Sequence, residues 1–428
     1  MRAWLPCVAL AAGVWSMTAM AADPVSPLSE RYVRLMLAIG QQDADFVDAY
    51  YGPPRWKQDA DAAGPQPEAA LLEQGAALGA ALAATPVPPG ELDRLRRDYL
   101  IAQTRAAVTR LRLRTGARLD FDAESRALYD AVAPTHADGD FGEALAALDA
   151  LVPGPGSLAA RVEAYRQRFV VPPDKLDVVF RAAVDACREQ TARHLTLPAG
   201  EQFAIEYVTG KPWSGYNWYQ GQYRSLIQIN TDLPVFIDRA LDLACHEGYP
   251  GHHAYNVLLE HHLVRGKGWQ EFAVYPLFSP QSLIAEGTAN FGIDVAFPAE
   301  TRVALERDRL FPLAGLDPAQ ARQYYTLLEA LERLSYAGNE AARRYLNGAI
   351  TASQAADYLV AYTLTSRPRA EQRVRFFDRY RAYVINYTLG KDLVRAHIER
   401  QGGTAEAPEA RWRIFGALLS SPRLPSGL

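Results

Sequence analysis

His246 and Glu247 stand side by side in ACHEGYPGHH, residues 244–253, and His252 and His253 close the stretch. A His-Glu pair opens the HExxH pattern, in which two histidines one helical turn apart face a zinc ion and the glutamate serves as general base toward water. That pattern needs its second histidine at position 250, which here is Pro250. On an unbroken helix His252 would lie about 9 Å beyond His246 along the axis and His253 about 10.5 Å, too far to share one ion. Pro250 opposes such a helix because it has no N–H to give the carbonyl of His246. Gly251 accepts a backbone path that other residues resist. The spacing therefore predicts a break at Pro250-Gly251 that returns His252 or His253 toward His246.

Catalytic zinc takes three protein ligands and keeps one position open. SPQSLIAEGTANFGIDVAF, residues 279–297, has helical periodicity and carries Glu286 in an apolar setting. A glutamate on a helix crossing a histidine pair is the usual third ligand in one large class of zinc peptidases. Asn290 and Asp294 follow at one-turn intervals on the same face, where they can ligate or hold a ligand by a hydrogen bond. His253 has the same two options. A His-Glu pair, a Pro-Gly break, a His pair and a Glu on the next apolar helix together point to a metal centre.

These residues also carry a family resemblance. HEGYPGHH resembles the HExxPGHH signature of the bacterial DUF885 proteins, which look like relatives of the helical zinc metallopeptidases of the HExxH-plus-Glu, gluzincin-like type. Glu286-Gly287 is similar to the family's downstream Glu-Gly pair, INTDLP (229–234) to its extended segment before the motif, and YTLGKDLV (387–394) to its Tyr-x-x-Gly-Lys helix. The resemblance implies a large helical metallopeptidase-like fold binding one Zn2+ per chain. His246, His252 and Glu286 would be the ligands, Glu247 the general base, and Tyr387 the hydrogen-bond donor to the oxyanion. Tyr383 and Arg381 share that last segment and are expected to contact substrate. Asn230 is expected to do so from LIQINT, whose edge would receive a peptide as an added strand. The chain departs from the pattern after each motif, with Thr-Ala-Asn-Phe following Gly287 and Ala254-Tyr255 following His253.

The elements that must position these groups are mainly helical. Residues 26–190 read as successive amphipathic helices, the first capped by Ser29, with breaks at PTHADGD, VPGPGS and VVPP. The basic run within residues 92–114 reads as a solvated helix face. FAIEYV and YRSLIQIN alternate instead, predicting a small sheet around residues 201–232, at least a long-looped hairpin. Its aromatics Trp213, Tyr216, Trp218, Tyr219 and Tyr223 either line a groove or pack the sheet. Helices resume through residue 400. The predicted organisation is a signal peptide at 1–21, an N-terminal helical region at 22–200, and the small sheet with a catalytic helical region at 201–428. The last two form one continuous two-lobed body.

MRAWLPCVALAAGVWSMTAMAADP has Arg2, a short apolar core and small residues at Ala19 and Ala21, so export across the inner membrane to the periplasm is expected, with cleavage after Ala21. The apolar run is too short and interrupted for a membrane span, leaving none in the mature chain. A net charge of −4, with no dense basic stretch interleaved with aromatics, argues against a nucleic-acid partner. Cys187 and Cys245 remain after cleavage, as a bridge or as buried filler. The expected function is zinc-dependent hydrolysis of peptide bonds in small peptides. Hydrolysis of another amide or ester, and a non-catalytic helical envelope protein that binds a ligand, are the alternatives.

Overall fold

The computed structural model describes residues 23–211 and 213–428; the export signal read at 1–21 lies outside them. The described chain is mainly α-helical with a small inserted sheet, as the periodicity predicts. Its buried apolar residues form one continuous cluster, from Val33 and Met36 near the N-terminus to Phe415 and Leu419 near the C-terminus. Among the described residues no helix is long and apolar enough to cross a membrane.

Two local readings change in the N-terminal region. The first helix, Ser26–Gly40, starts three residues before Ser29 and carries a proline in its first turn, where a missing N–H costs nothing. Ser29 therefore lies inside the helix, and its hydroxyl donates to Glu271 (2.6 Å). The basic face of the Glu91–Arg114 helix is not wholly solvated either. Arg96 is buried, bonded to Glu271 (3.2 Å) and stacked 4.6 Å from the Trp269 ring. A fully buried carboxylate needs such a cation.

The sheets differ more. Strand β1 (Val47–Tyr50) lies in a stretch read as helical, and pairs antiparallel with β5 (Val274–Pro276). The inserted sheet has three strands, β2 (Gln202–Val208), β3 (Gly215–Gly221) and β4 (Arg224–Asn230), in the order β2-β4-β3. The two strands read from the sequence are β2 and β4, and they run parallel. The hairpin partner of β4 is β3, inside the stretch taken as connection. Because β4 is central, its edges are occupied; the outer strands are β2 and β3, and of these β3 lines the cavity described below.

The β3–β4 turn lacks the Asn-Gly signal of tight hairpins. Its central residues, Gln222 and Tyr223, both have positive φ (55° and 61°), which a two-residue type I′ turn requires and ordinary side chains resist. The buried Glu260 carboxylate compensates. It accepts from both turn amides (3.1 and 3.3 Å), from the Tyr219 hydroxyl (2.6 Å) and from Arg265 (2.7 Å). Glu260→Ala should lower stability by about 3 kcal/mol, because it orphans buried donors and releases a strained turn. Urea denaturation followed by circular dichroism measures this, and a loss below about 1 kcal/mol would show that the turn holds itself.

Candidate metal centre

The helix Ile237–Leu243 delivers the motif and then widens into a single π-turn, Ala244–Gly248. Such turns recur at functional sites because they shift side chains off the regular helical register. The Tyr249-Pro250 bond is cis, and a new helix begins at His252. The Gly251 amide donates back to the Cys245 carbonyl (3.0 Å), replacing a bond Pro250 has no N–H to make. No side chain fits at 251: a Cβ there would stand 1.9 Å from the His246 carbonyl oxygen. Cys245 is bonded to Cys187, pinning the wide turn to the Leu176–Ala192 helix. A bridge across 58 residues restricts the unfolded chain by about 4 kcal/mol.

The break brings His252 Nε2 to 3.1 Å from His246 Nε2. Glu286, on the Pro280–Ala296 helix, completes the cluster, with carboxylate oxygens 3.5 Å from His246 Nε2 and 3.9 Å from His252 Nε2. Around a tetrahedral ion with bonds of about 2.0–2.1 Å, neighbouring donors stand about 3.3 Å apart, so these separations fit one face of its coordination shell. The donor chemistry fits as well. Glu286 Oε1 accepts from the Tyr383 hydroxyl (2.9 Å), while the buried Oε2 has no hydrogen-bond partner among the described residues. Two imidazole nitrogens and an unpartnered carboxylate oxygen converging in a buried place form a cluster able to hold a metal ion.

Glu286 reaches this point through a glycine contact. A Cβ on Gly287 would stand 2.4 Å from the Gly390 carbonyl oxygen, so the Pro280–Ala296 and Ile385–Arg400 helices touch backbone to backbone. That contact gives the Glu-Gly and Tyr-x-x-Gly patterns a common physical reason. It sets Glu286 and Tyr387, each within a turn of its glycine, on one cleft.

The centre lies in a cavity of about 900 Å³, near the upper end of small-molecule sites. Glu247 is buried beside His246, against β3: a Cβ on Gly215 would stand 2.9 Å from its Oε1, and Asn217 donates to its main-chain carbonyl (2.7 Å). Burial, with repulsion from Glu286 partly offset by His246, pushes the Glu247 carboxyl up to about 7. Asp48 on β1 lines the same cavity and is also pushed up to about 7, by burial and then by Glu286 and Glu247. Burial and the neighbouring His246 charge push His252 down to about 4. Burial alone would raise Glu286, but the close approach of His246, the charge effects of both imidazoles and the Tyr383 hydrogen bond hold it below the ordinary range. Burial keeps the Tyr387 hydroxyl firmly protonated.

The remaining sequence candidates separate. Tyr387 lines the cavity, its ring 5.8 Å from that of Tyr383. Tyr383 lines it too, but its hydroxyl is committed to Glu286. Asn290 lines the cavity and donates to the Glu286 main-chain oxygen (2.9 Å), while Asp294 is ion-paired with Lys391 (3.3 Å) and Arg395 (3.4 Å). His253 points the other way, fully buried between Ser225 (2.8 Å) and Glu201 (3.0 Å). Arg381 binds Glu124 (2.7 Å) off the cavity wall. Asn230 binds the main-chain oxygens of Lys211 and Trp213 (both 2.9 Å), so it shapes a loop and its own side chain does not line the cavity. The aromatics divide: Trp213, Tyr216 and Trp218 line the cavity, whereas Tyr219 and Tyr223 serve the turn bound to Glu260. Asp48 escaped sequence reading because β1 reaches the site only by pairing with β5, across more than two hundred residues.

No protein-family model and no curated protein matches the chain. Among solved structures it is similar to a candidate lipoprotein from Colwellia psychrerythraea, at 16% identity, covering 85% of this chain and 71% of that one with a TM-score of 0.49. It is also similar to metallocarboxypeptidase 1 of Trypanosoma cruzi, at 13% identity, covering 95% and 94% with a TM-score of 0.45. A third is the M32 carboxypeptidase from Deinococcus radiodurans R1, at 14% identity, covering 95% and 92% with a TM-score of 0.38. These are likenesses of helical layout at low identity.

The geometry separates two kinds of histidine variant. His246→Ala, His252→Ala and Glu286→Ala should each weaken zinc binding by at least about 100-fold in a competitive chelator titration. His253→Ala should keep wild-type zinc affinity and instead lose about 2–4 kcal/mol of stability, since it strands Glu201 and Ser225.

Proposed function

We propose that the chain is an exported zinc hydrolase that cleaves peptide bonds in small peptides, with one Zn2+ held by His246, His252 and Glu286. The observation that carries this reading is the convergence of those donors, one carboxylate oxygen unpartnered, beside a buried glutamate in a large cleft. The resemblance of HEGYPGHH and Glu286-Gly287 to the DUF885 signature supports the same reading. The Cys187–Cys245 bridge supports export, since such bonds persist in oxidising compartments.

A zinc-class ion supplies a Lewis acid that polarises a carbonyl and makes water acidic near neutrality. The chain's own residues do the rest. Glu247, adjoining His246, takes the proton of the attacking water on its carboxylate and passes it to the leaving amine. The protonated Tyr387 hydroxyl donates a hydrogen bond to the oxyanion as the carbonyl becomes tetrahedral. Tyr383 holds the Glu286 carboxylate in one orientation. The free edge of β3, whose residues Gly215 to Trp218 line the cleft, pairs with an extended substrate backbone. The neighbouring rings of Trp213, Tyr216 and Trp218 give apolar side chains a wall to pack on.

Glu247→Gln should keep zinc content near wild type and lower kcat/KM by about 10²–10⁴-fold on a peptide library read by mass spectrometry. Tyr387→Phe should lower kcat by about 10²-fold or more with little change in KM. Full activity in Glu247→Gln, or a wild-type protein that takes up no zinc, would sink the reading.

A further inference from the structure

Most basic side chains on the cleft wall already have a carboxylate. Arg239 and Arg302 share Asp242 (3.2 and 2.6 Å), Arg379 pairs with Asp45 (2.6 Å), and Lys391 pairs with Asp294 and Glu332 (3.3 and 3.2 Å). Lys211, at the rim, is exposed and solvated. Arg369 and Arg373 differ. They lie one turn apart on the Arg367–Tyr380 helix, both line the cavity, and among the described residues neither has an ion pair or a side-chain hydrogen bond.

They are nonetheless held in place. The Arg373 guanidinium lies 4.6 Å from the Phe376 ring centre and 5.5 Å from that of Tyr387, and Arg369 lies 5.7 Å from that of Phe236. Aromatic faces order a guanidinium without using its N–H edges. Burial pushes both below the usual arginine range, outweighing Glu163 near Arg369 and Glu286 near Arg373, so each is partly stripped of water and paired with no carboxylate among the described residues. Arg373 lines the same cavity as His246, His252 and Glu286, and its guanidinium lies against the ring of Tyr387. A desolvated cation with an open fork favours a planar anion brought in from outside, above all a carboxylate.

We propose that Arg369 and Arg373 receive a carboxylate of the substrate, so that the bond presented to the centre lies close to an acidic group. The carboxylate is either the free C-terminus of a peptide or an Asp or Glu side chain. This assignment rests on the hydrolase reading for its catalytic consequence, but not for its binding consequence.

The test uses three probes: acetyl-Ala-Ala-Ala as free acid, the same peptide as C-terminal amide, and acetyl-Ala-Ala-Glu as C-terminal amide. Cleavage is followed with the zinc-loaded full chain, and binding is followed by calorimetry on zinc-loaded Glu247→Gln. At least one carboxylate-bearing probe should be bound and cleaved about tenfold or more better than the neutral amide. Preference for the free acid identifies the C-terminus, and equal preference for the Glu amide admits a side chain. Arg369→Gln and Arg373→Gln, chosen as single changes with melting temperatures checked, should each erode that ratio, and Arg373→Lys should keep part of it. Acid-selective binding without cleavage of any probe would leave the proposal standing and overturn the hydrolase reading. Equal treatment of all three probes, binding of none, or an undiminished ratio in both Gln variants would overturn the proposal.

Discussion

The hydrogen bond from the Gly251 amide to the Cys245 carbonyl, 3.0 Å long and made where no side chain fits, constrains everything built around the centre. Two histidines six positions apart cannot meet on a regular helix. They meet here because the first helix widens, stops, and restarts with His252 in its opening turn. Pro250 prevents continuation, and Gly251 lets the restarted chain lie directly on the carbonyls it has just left. The Cys187 bridge holds the widened turn from behind. A Cβ at 251 would collide with both Cys245 and His246 carbonyls, so the constraint acts on the ligand-bearing backbone itself.

The adjacent histidines then divide the load. Neighbouring positions on a helix diverge by about 100°, so when His252 faces the centre His253 must face elsewhere. It enters a closed network of Ser225, Glu201 and Tyr249, with Arg188 on the outer side of Glu201 (3.0 Å). That network ties the helix carrying His252 to β4 and to the segment leading into β2. Rotation of the helix would break it, so His253 fixes His252 without touching the centre. The Gly287–Gly390 contact plays the corresponding part for Glu286 and Tyr387.

Features that depend on local chain chemistry were legible in the sequence. The break at Pro250-Gly251 follows from a missing N–H and a missing Cβ, the helical frame from periodicity, and the candidacy of Glu286 from its apolar surroundings. Features that depend on distant partners were not. The turn at Gln222-Tyr223 has no glycine and exists because Glu260, some forty residues on, binds both amides. Without that turn β3 reads as connection, and the free sheet edge is assigned to β4. Asp48 reaches the site through β1–β5 pairing. Arg369 and Arg373 look like any basic helix face until the structure places them on the cavity wall with no ion pair among the described residues. The choice between His252 and His253 turned on Glu201 and Ser225, which no spacing within the motif reveals.

Charge explains why these distant pieces belong to one site. Glu247, Glu286 and Asp48 share a cleft in which burial already disfavours ionisation; Glu286 raises the cost of charging Glu247, and both raise that of charging Asp48. His246 offsets part of this for Glu247, and both histidines do so for Glu286, while burial and its partner's charge push His252 down to about 4. Arg369 and Arg373 stand over aromatic rings and, among the described residues, donate to none of these three carboxylates. A dication held where His246, His252 and Glu286 converge would change this balance: it would use the unpartnered Glu286 oxygen, would take a neutral His252, and would lower the cost of an ionised Glu247 next to it. The wall arginines would then remain surplus to the centre, which is the condition under which the proposed carboxylate of a substrate could use them.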